Sequence, residues 1–288
     1  MSRKVMLISL AILLSLSIFG IQVTTEKREV FVADELDITR SQPDVLIIDN
    51  GLFKIEILPN RGRIFWQIFS GDNGEIGLLY NKTDYPMPFM DEVTSNYIFE
   101  IGGGYVSVPW NDRSNQPYPL NYSITDNEDE VTVEMKGLNE VEGLHNTIKI
   151  TIKENDPEIT VGMTVKNVET KPKEVMLWEC INFNLEAPLI LISDNPWLAD
   201  KTLNDFDEYT YKKLQNQTKY IGITNPETNK GFKMNLKEET TKFAQLWGKN
   251  WQLEMGGIPA LRFITKHNAF TLEPNETQTI TQSFEFIH

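Results

Sequence analysis

Apolar and polar residues alternate along much of this 288-residue sequence, with the period of a β-strand that buries one face. The pattern is clearest in EVTVEMKG at 130–137, NTIKITIK at 146–153 and EITVGMTVK at 158–166. The connecting segments are rich in residues that favour turns. Residues 200–215 are the best match to a helical spacing, so one short helix is expected there. The rest predicts an all-β chain of antiparallel strands.

Residues 45–80 predict a hairpin followed by a third strand. Phe53, Ile55 and Ile57 alternate with polar residues, and Pro59-Asn60-Arg61-Gly62 supplies a turn before the apolar run 64–69. Further along, residues 174–185 are apolar almost throughout, which is typical of a central strand covered on both faces. Residues 270–277 predict a strand end and turn before the last strand.

The order of these motifs resembles the galactose mutarotase-like (aldose epimerase-like) proteins. A Leu-Pro strand end with a Gly-Arg-Ile edge matches Leu58, Pro59 and Gly62 to Ile64, followed by a long strand pair ending in Asn and a Trp-bearing central strand. The resemblance implies a large antiparallel β-sandwich, the mutarotase-like supersandwich, over residues 45–288. About 244 residues are ordinary for one such domain.

The N-terminus reads as a membrane-targeting segment. Arg3 and Lys4 precede an apolar run over 5–23, so a hydrophobic helix is expected within 1–23. A small-x-small cleavage site is poorly formed there, which favours an uncleaved signal anchor, and a cleaved signal peptide stays open. Residues 24–44 are charged and lack periodicity, so a stalk is expected between the segment and the domain.

The predicted export and the net charge of the chain limit the kinds of molecule that it can bind. Basic residues ahead of the run place the remaining chain outside the cytoplasm, anchored in the membrane or secreted. Cys180 is the only cysteine, so no disulfide forms within the chain, and four glycosylation sequons begin at Asn81, Asn121, Asn216 and Asn275. The exported part holds 25 basic and 41 acidic residues, a net charge of −16. This charge disfavours nucleic acid and anionic lipid and favours a neutral sugar or glycan, with membrane contact through residues 1–23 only.

Candidate catalytic residues follow from the resemblance. In that family a Glu on a late strand, before a Gly-rich turn, acts as general base on the anomeric hydroxyl, and Glu254 matches it. The family's acid is a His on the Trp-bearing strand, but this strand reads Trp178-Glu179-Cys180 and has none. His267 and Glu179 are the substitutes considered, the latter if burial raises its pKa.

Sugar-binding candidates are aromatic residues, which stack on pyranose rings, and one arginine. Arg63 matches a polar residue of the family and donates hydrogen bonds to hydroxyls or to a carboxylate. Gly102 to Gly104 predict a close backbone approach, with Trp110 at the rim. The set is completed by three tryptophans, Trp178, Trp247 and Trp251. The sequence contains no metal-ligand spacing and implies no cofactor.

These observations support an exported carbohydrate-binding β-sandwich whose catalysis is in doubt because the acid is missing. Two alternatives stay open: a sugar epimerase or glycan-processing enzyme that uses Glu254, and a structural cell-surface domain. The identity of the sugar and the oligomeric state are not encoded in any motif of the sequence.

Overall fold

The computed structural model describes residues 20–34, 37–70, 76–81, 87–91, 96–100, 103–107, 120–127, 129–139, 143–186, 188–206, 210–214, 217–238, 240–247 and 260–288. These residues form antiparallel strands and short turns and contain no α-helix, which confirms the all-β prediction. No helix among them is long and apolar enough to cross a bilayer. The helix expected within 1–23 falls almost wholly outside these ranges.

The described strands, in chain order, are β1 (Gln22–Lys27), β2 (Val30–Asp34), β3 (Asp37–Ser41), β4 (Asp44–Asp49), β5 (Lys54–Leu58), β6 (Arg63–Ser70), β7 (Ile76–Gly77), β8 (Met87–Asp91), β9 (Asn96–Glu100), β10 (Gly104–Ser107), β11 (Asn121–Asn127), β12 (Glu130–Asn139), β13 (Leu144–Lys153), β14 (Glu158–Asn167), β15 (Lys173–Val175), β16 (Trp178–Asn184), β17 (Ile190–Ser193), β18 (Thr210–Lys213), β19 (Tyr220–Asn225), β20 (Lys230–Asn235), β21 (Thr241–Trp247), β22 (Ala260–Lys266), β23 (Phe270–Leu272) and β24 (Thr277–Ile287). Two short 3-10 turns, Pro59–Arg61 and Leu203–Asp205, interrupt them.

Two large sheets contain most of these strands. The first, of ten strands, has the order β1-β4-β5-β6-β10-β16-β22-β21-β18, with β7 beside β6. The second, of eight strands, has the order β11-β12-β13-β14-β24-β20-β19-β17. Three two-stranded ribbons, β2-β3, β8-β9 and β15-β23, complete the set.

One apolar core lies between the two sheets. Alternate residues of the ten-stranded sheet, such as Ile55, Phe183 and Phe263, belong to the same buried cluster as Val133 and Ile150 of the eight-stranded sheet. Aromatic rings join the sheets directly, because the ring centroid of Phe65 lies 5.2 Å from that of Phe232 and 4.9 Å from that of Phe284. The single shared core is the one expected for strands that each bury one face.

Asp44, at the start of β4, ties the two sheets together at one edge. Its carboxylate accepts a hydrogen bond from Lys27 Nζ at 2.6 Å and another from the Tyr122 hydroxyl, on β11 of the other sheet, at 3.0 Å. The bond from Lys27 is the main cause that holds the pKa of Asp44 below its ordinary value.

The hairpin predicted within 45–80 is present as β5 and β6, and the third strand predicted there is the two-residue β7, which pairs with β6. Gly62 closes the turn with a φ of 62°, a left-handed conformation that favours glycine. The single strand predicted at 174–185 is divided in two. Its start belongs to β15, which pairs with β23, and the rest is β16, which lies between β10 and β22 and is buried on both faces.

Two expectations differ from the structure. Residues 22–27, assigned to the end of the targeting segment and the start of a stalk, form β1 and pair with β4 along all six residues. This strand escaped notice because it lies at a sheet edge and only Val23 is partly buried, so no alternation arises. The helix expected at 200–215 is instead a 3-10 turn followed by β18, since pairing with β21 overrides the helical spacing.

Candidate functional site

Four neighbouring strands, β6, β10, β16 and β22, carry the polar side chains that stand out in this fold. One face of these strands packs on the shared core. The opposite face, turned away from the eight-stranded sheet, is called the outer face below. Trp178, Cys180 and Ile264 form a small apolar cluster with Tyr105 on the outer face, separate from the shared core. Strand alternation therefore gives this sheet two different environments.

Tyr105 lies between two arginines on the outer face. The guanidinium carbon of Arg63 is 4.3 Å from the centroid of the Tyr105 ring, and that of Arg262 is 5.9 Å from it. Arg262 Nη2 donates a hydrogen bond to the Tyr105 hydroxyl oxygen, and Arg262 Nε donates one to Cys180 Sγ at 3.0 Å. Arg63, Tyr105, Cys180 and Arg262 are called the arginine–tyrosine cluster.

Strand register brings this cluster together from distant parts of the chain. Tyr105 lies opposite Cys180 in the β10–β16 pairing, and Asn182 lies opposite Arg262 in the β16–β22 pairing. The chain enters β10 through Gly103, whose φ is 73° and where a Cβ would lie 2.5 Å from the carbonyl oxygen of Phe65. This close backbone approach confirms the one predicted for the glycine run. Asn182 Nδ2 fixes the same turn by donating to the Gly103 carbonyl at 3.0 Å.

The cluster is buried as well as charged. Arg63 is 4 % exposed, Arg262 2 % and Tyr105 1 %. Burial of a guanidinium costs free energy unless hydrogen bonds and π-faces replace its water, and here Tyr105 supplies both kinds of contact. Chemically, the arrangement offers N–H donors beside the face of Tyr105, with Trp178 in the same apolar cluster, a combination that suits a ligand with hydroxyl groups and a C–H face.

A carboxylate lies on the same face two strands from Tyr105. Glu56 of β5 is buried and accepts two hydrogen bonds from Arg28, at 2.7 Å from Nη1 and 3.0 Å from Nη2. The side-chain hydrogen bond to Glu56 is the largest cause that raises the pKa of Arg28 above its ordinary value. Glu56 is thus held in a bidentate ion pair.

A second polar group lies on the core-facing side of the same strands. Glu179 Oε2 accepts a hydrogen bond from the Thr265 hydroxyl at 2.7 Å, and Glu179 Oε1 lies 3.3 Å from His267 Nε2 without the geometry of a hydrogen bond. Lys242 faces Thr265 across the β21–β22 pairing and is fully buried. Glu179, Lys242, Thr265 and His267 are called the interior polar group.

The described site candidates fall on the two sides of the sheet. Glu179 and His267 meet each other, but they are 1 % and 6 % exposed and lie in the interior polar group. Arg63 and Trp178 lie on the outer face, both buried. A general acid must touch its sugar, and Glu179 and His267 lie across the sheet from the arginine–tyrosine cluster. This position favours a structural role for them, and their catalytic role stays a prediction.

The other candidates are placed only in part. Only the backbone of Trp247 is described, at the last position of β21. Trp110, Trp251 and Glu254 lie outside the described residues. In the described part of the chain, no three His, Cys, Asp or Glu side chains gather as a metal site requires.

Sequence reasoning missed Tyr105 and Arg262. Tyr105 directly follows the glycine run, whose pattern predicts only a close approach of the backbone. Arg262 is the single charge within the apolar stretch ALRFI at 260–264, a pattern that indicates a buried arginine with a specific partner.

Comparison with known proteins gives no relative by sequence. No protein-family model matches the chain, and no curated protein matches it. Solved structures do resemble it. A TPR-domain containing protein from Parabacteroides distasonis aligns with a TM-score of 0.74 and 13 % identity, covering 94 % of this chain and 56 % of that one. The chain thus spans little more than half of the length of that structure.

Two smaller structures match over nearly their whole length. A galactose mutarotase-like protein from Lactobacillus casei has a TM-score of 0.57 and 12 % identity, with 84 % of this chain and 99 % of that one covered. A galactose mutarotase related enzyme from Lactobacillus acidophilus has a TM-score of 0.54 and 8 % identity, with 85 % and 97 % covered. At such identities the likeness concerns the fold, and it confirms the predicted resemblance at that level. The chain therefore has the galactose mutarotase-like fold.

Proposed function

We propose that this protein is an exported carbohydrate-binding domain whose sugar site is the outer face around the arginine–tyrosine cluster. The observation that carries the proposal is the convergence of Arg63 and Arg262 on the ring of Tyr105. Sugar sites combine an aromatic surface with fixed hydrogen-bond donors, and here both are held by four adjacent strands. Because Tyr105 and the two arginines are buried, the proposal requires that a sugar displaces the residues that cover them. The galactose mutarotase-like fold adds support by analogy.

Charge favours a neutral ligand over a nucleic acid. The exported part carries a net charge of −16, which repels phosphate backbones over most of the surface. Arg63 and Arg262 are buried beneath this acidic surface. In the proposed site they act as donors to sugar hydroxyls, while Tyr105 and Trp178 supply the apolar wall.

A glycan array followed by calorimetric titration tests this proposal. Arg262→Lys keeps the charge but removes the fork that reaches both Tyr105 and Cys180. Loss of a charge-assisted hydrogen bond costs roughly 1.5–3 kcal/mol, so the Kd of the best glycan should rise about 10- to 100-fold.

Arg28→Lys is the matched control, because it makes the same substitution at the Glu56 ion pair, away from the cluster. We expect its Kd to stay within about twofold of the native value, since a substitution outside the contact changes affinity little. Equal affinities for native protein, Arg262→Lys and Arg28→Lys would contradict the proposed site. So would an array on which no glycan binds.

The rival function is a sugar epimerase or glycan-processing enzyme that uses Glu254 as base. Two observations support this enzymatic function. Glu254 belongs to the segment 248–259, which joins β21 to β22, the strand that carries Arg262, and one solved structure of this fold is named a galactose mutarotase related enzyme. The missing histidine in β16 weighs against it, since loss of one proton-transfer partner lowers the rate by ~10²–10⁴.

Polarimetry on fresh α-galactose and α-glucose separates the two functions. We expect mutarotation by the native protein to be slow or absent. Rapid mutarotation that Glu254→Gln abolishes, with the fold unchanged by circular dichroism, would establish the enzyme. Loss of sugar binding in the same variant would assign Glu254 to recognition as well, because the amide keeps the shape and removes only the charge.

A further inference from the structure

The position at which the first large sheet begins limits how much of the N-terminal apolar run could form a membrane helix. In the sequence this run extends over residues 5–23, which is 19 residues. In the structure its last part belongs to the sandwich: Gln22 pairs with Asp49 and Val23 with Ile48 in the β1–β4 ladder. Ile21 and Val23 are partly buried and pack against the shared core. These residues belong to the sandwich, so they cannot also be part of a membrane-spanning helix.

Gly20 marks the boundary between the N-terminal apolar run and the β-sandwich. Its φ is 147°, a conformation that side-chain-bearing residues rarely adopt and that no α-helix contains. A helix that ran through Gly20 into β1 would break both this conformation and the pairing of Gln22. The stretch that remains for a membrane helix therefore ends at residue 19.

Length then distinguishes an anchor from a signal peptide. Residues 5–19 are 15 residues, which as an α-helix span about 23 Å. The hydrocarbon core of a bilayer is about 30 Å thick and needs about 20 apolar residues. Fifteen residues match the apolar core of a signal peptide, which has roughly 7–15 residues after a basic start. Arg3 and Lys4 supply that start.

We infer that the N-terminal segment is a signal peptide that is removed after Ser17, so that the mature chain begins at Ile18, just ahead of β1. Two triplets of the run, Ser9-Leu10-Ala11 and Ser15-Leu16-Ser17, have small residues at the two positions that signal peptidases read, and only the second follows an apolar stretch of sufficient length. Serine at both positions departs from the Ala-x-Ala pattern, which by itself favours an anchor, but the shortened run outweighs that preference. The step hydrolyses the Ser17–Ile18 peptide bond with one water, leaving a carboxylate on Ser17 and an amino group on Ile18. The inference shares export with the proposed function and does not depend on sugar binding.

The test is the N-terminus and location of the full chain, expressed with a C-terminal tag in a bacterial host that has a signal peptidase. Intact mass and N-terminal sequencing should show a chain that begins at Ile18, in the soluble exported fraction. A start anywhere from 18 to 21 leaves β1 whole and supports the inference. A chain that keeps the N-terminal segment and resists carbonate extraction from membranes would overturn it, as would a start within β1.

Two variants connect the result to its physical cause. Ile18→Pro places proline directly after the cleaved bond, which blocks signal peptidases, so the precursor should stay membrane-bound. Insertion of five leucines after Leu14 lengthens the apolar run to 20 residues, so the chain should become a stable anchor. If the inserted chain were processed and released to the same extent as the native chain, the length argument would fail. A binding assay on the soluble product reports separately on the sugar site.

Discussion

Consecutive residues of β16 have opposite environments. Glu179 points toward the shared core and accepts a hydrogen bond from Thr265, whereas Cys180 points to the outer face and accepts one from Arg262. The buried carboxylate and the buried guanidinium are therefore separated by the backbone of the sheet. Each needs hydrogen-bond partners on its own side, because a buried polar group without partners is destabilising.

Thr265→Val tests whether the interior polar group holds the sandwich together. Valine keeps the shape of threonine but leaves Glu179 Oε2 without the hydroxyl donor that is 2.7 Å away. An unsatisfied buried acceptor costs about 1–3 kcal/mol, so urea unfolding should show a loss of that size.

Thr164→Val is the matched control for this experiment. This variant makes the same change, threonine to valine, in another strand. The hydroxyl of Thr164 is hydrogen-bonded to that of Thr279 at 2.8 Å on an exposed surface. Its effect should stay within about 0.5 kcal/mol. Equal losses for the two variants would mean that the buried hydrogen bond contributes nothing beyond the general effect of the substitution.

For single residues, the sequence predicts some members of the candidate site but not others, because it does not indicate which strands are neighbours. Residue type and resemblance predict Arg63, Glu179 and His267 as site residues, and period-two alternation indicates which residues of one strand share a face. It does not indicate which strands are neighbours. Tyr105 and Arg262 become site candidates only through their contact with each other, and they are 157 residues apart in the sequence. No local sequence pattern encodes such a contact.

Among the elements, β1 differs most from the sequence-based expectation, because the sequence predicts the end of a targeting segment and a stalk where the structure has a strand. It is an edge strand with five of its six residues exposed, and it resembles a charged linker in sequence. Its pairing with β4 and the packing of Ile21 and Val23 nevertheless make it part of the sandwich. By contrast, the long strands β12, β13 and β14 were predictable, because each buries one face along ten residues.

Removal of β1 should lower stability. We compare a chain that begins at Gly20 with one that begins at Arg28, which keeps the Glu56 ion pair. Loss of two half-buried apolar side chains and six residues of pairing is worth roughly 2–3 kcal/mol, and a protein of this size loses about 2–4 °C in Tm per kcal/mol.

The shorter chain should accordingly melt on the order of 5–10 °C lower in a calorimetric scan. If residues 20–27 were a stalk, the two chains would melt at the same temperature. That outcome would also remove the basis for ending the apolar run at residue 19.

For the molecule as a whole, the strand order creates the candidate site. Strands β6, β10, β16 and β22 are far apart in the chain and adjacent in the sheet, so the arginine–tyrosine cluster exists only in the folded sandwich. The fold class was predictable from strand periodicity and from the order of motifs that resembles the mutarotase-like proteins. The pairing order of the strands was not, because antiparallel strands of similar pattern can pair in many orders.

The central claim is that a sugar binds on the outer face of the ten-stranded sheet, and a crystal structure of the complex with the best glycan from the array tests it most directly. We predict a sugar ring over Tyr105 or Trp178, with a hydroxyl within hydrogen-bond distance, about 2.7–3.2 Å, of the Arg63 or Arg262 guanidinium. A glycan bound instead on the exposed face of the eight-stranded sheet, with the arginine–tyrosine cluster untouched, would contradict the account.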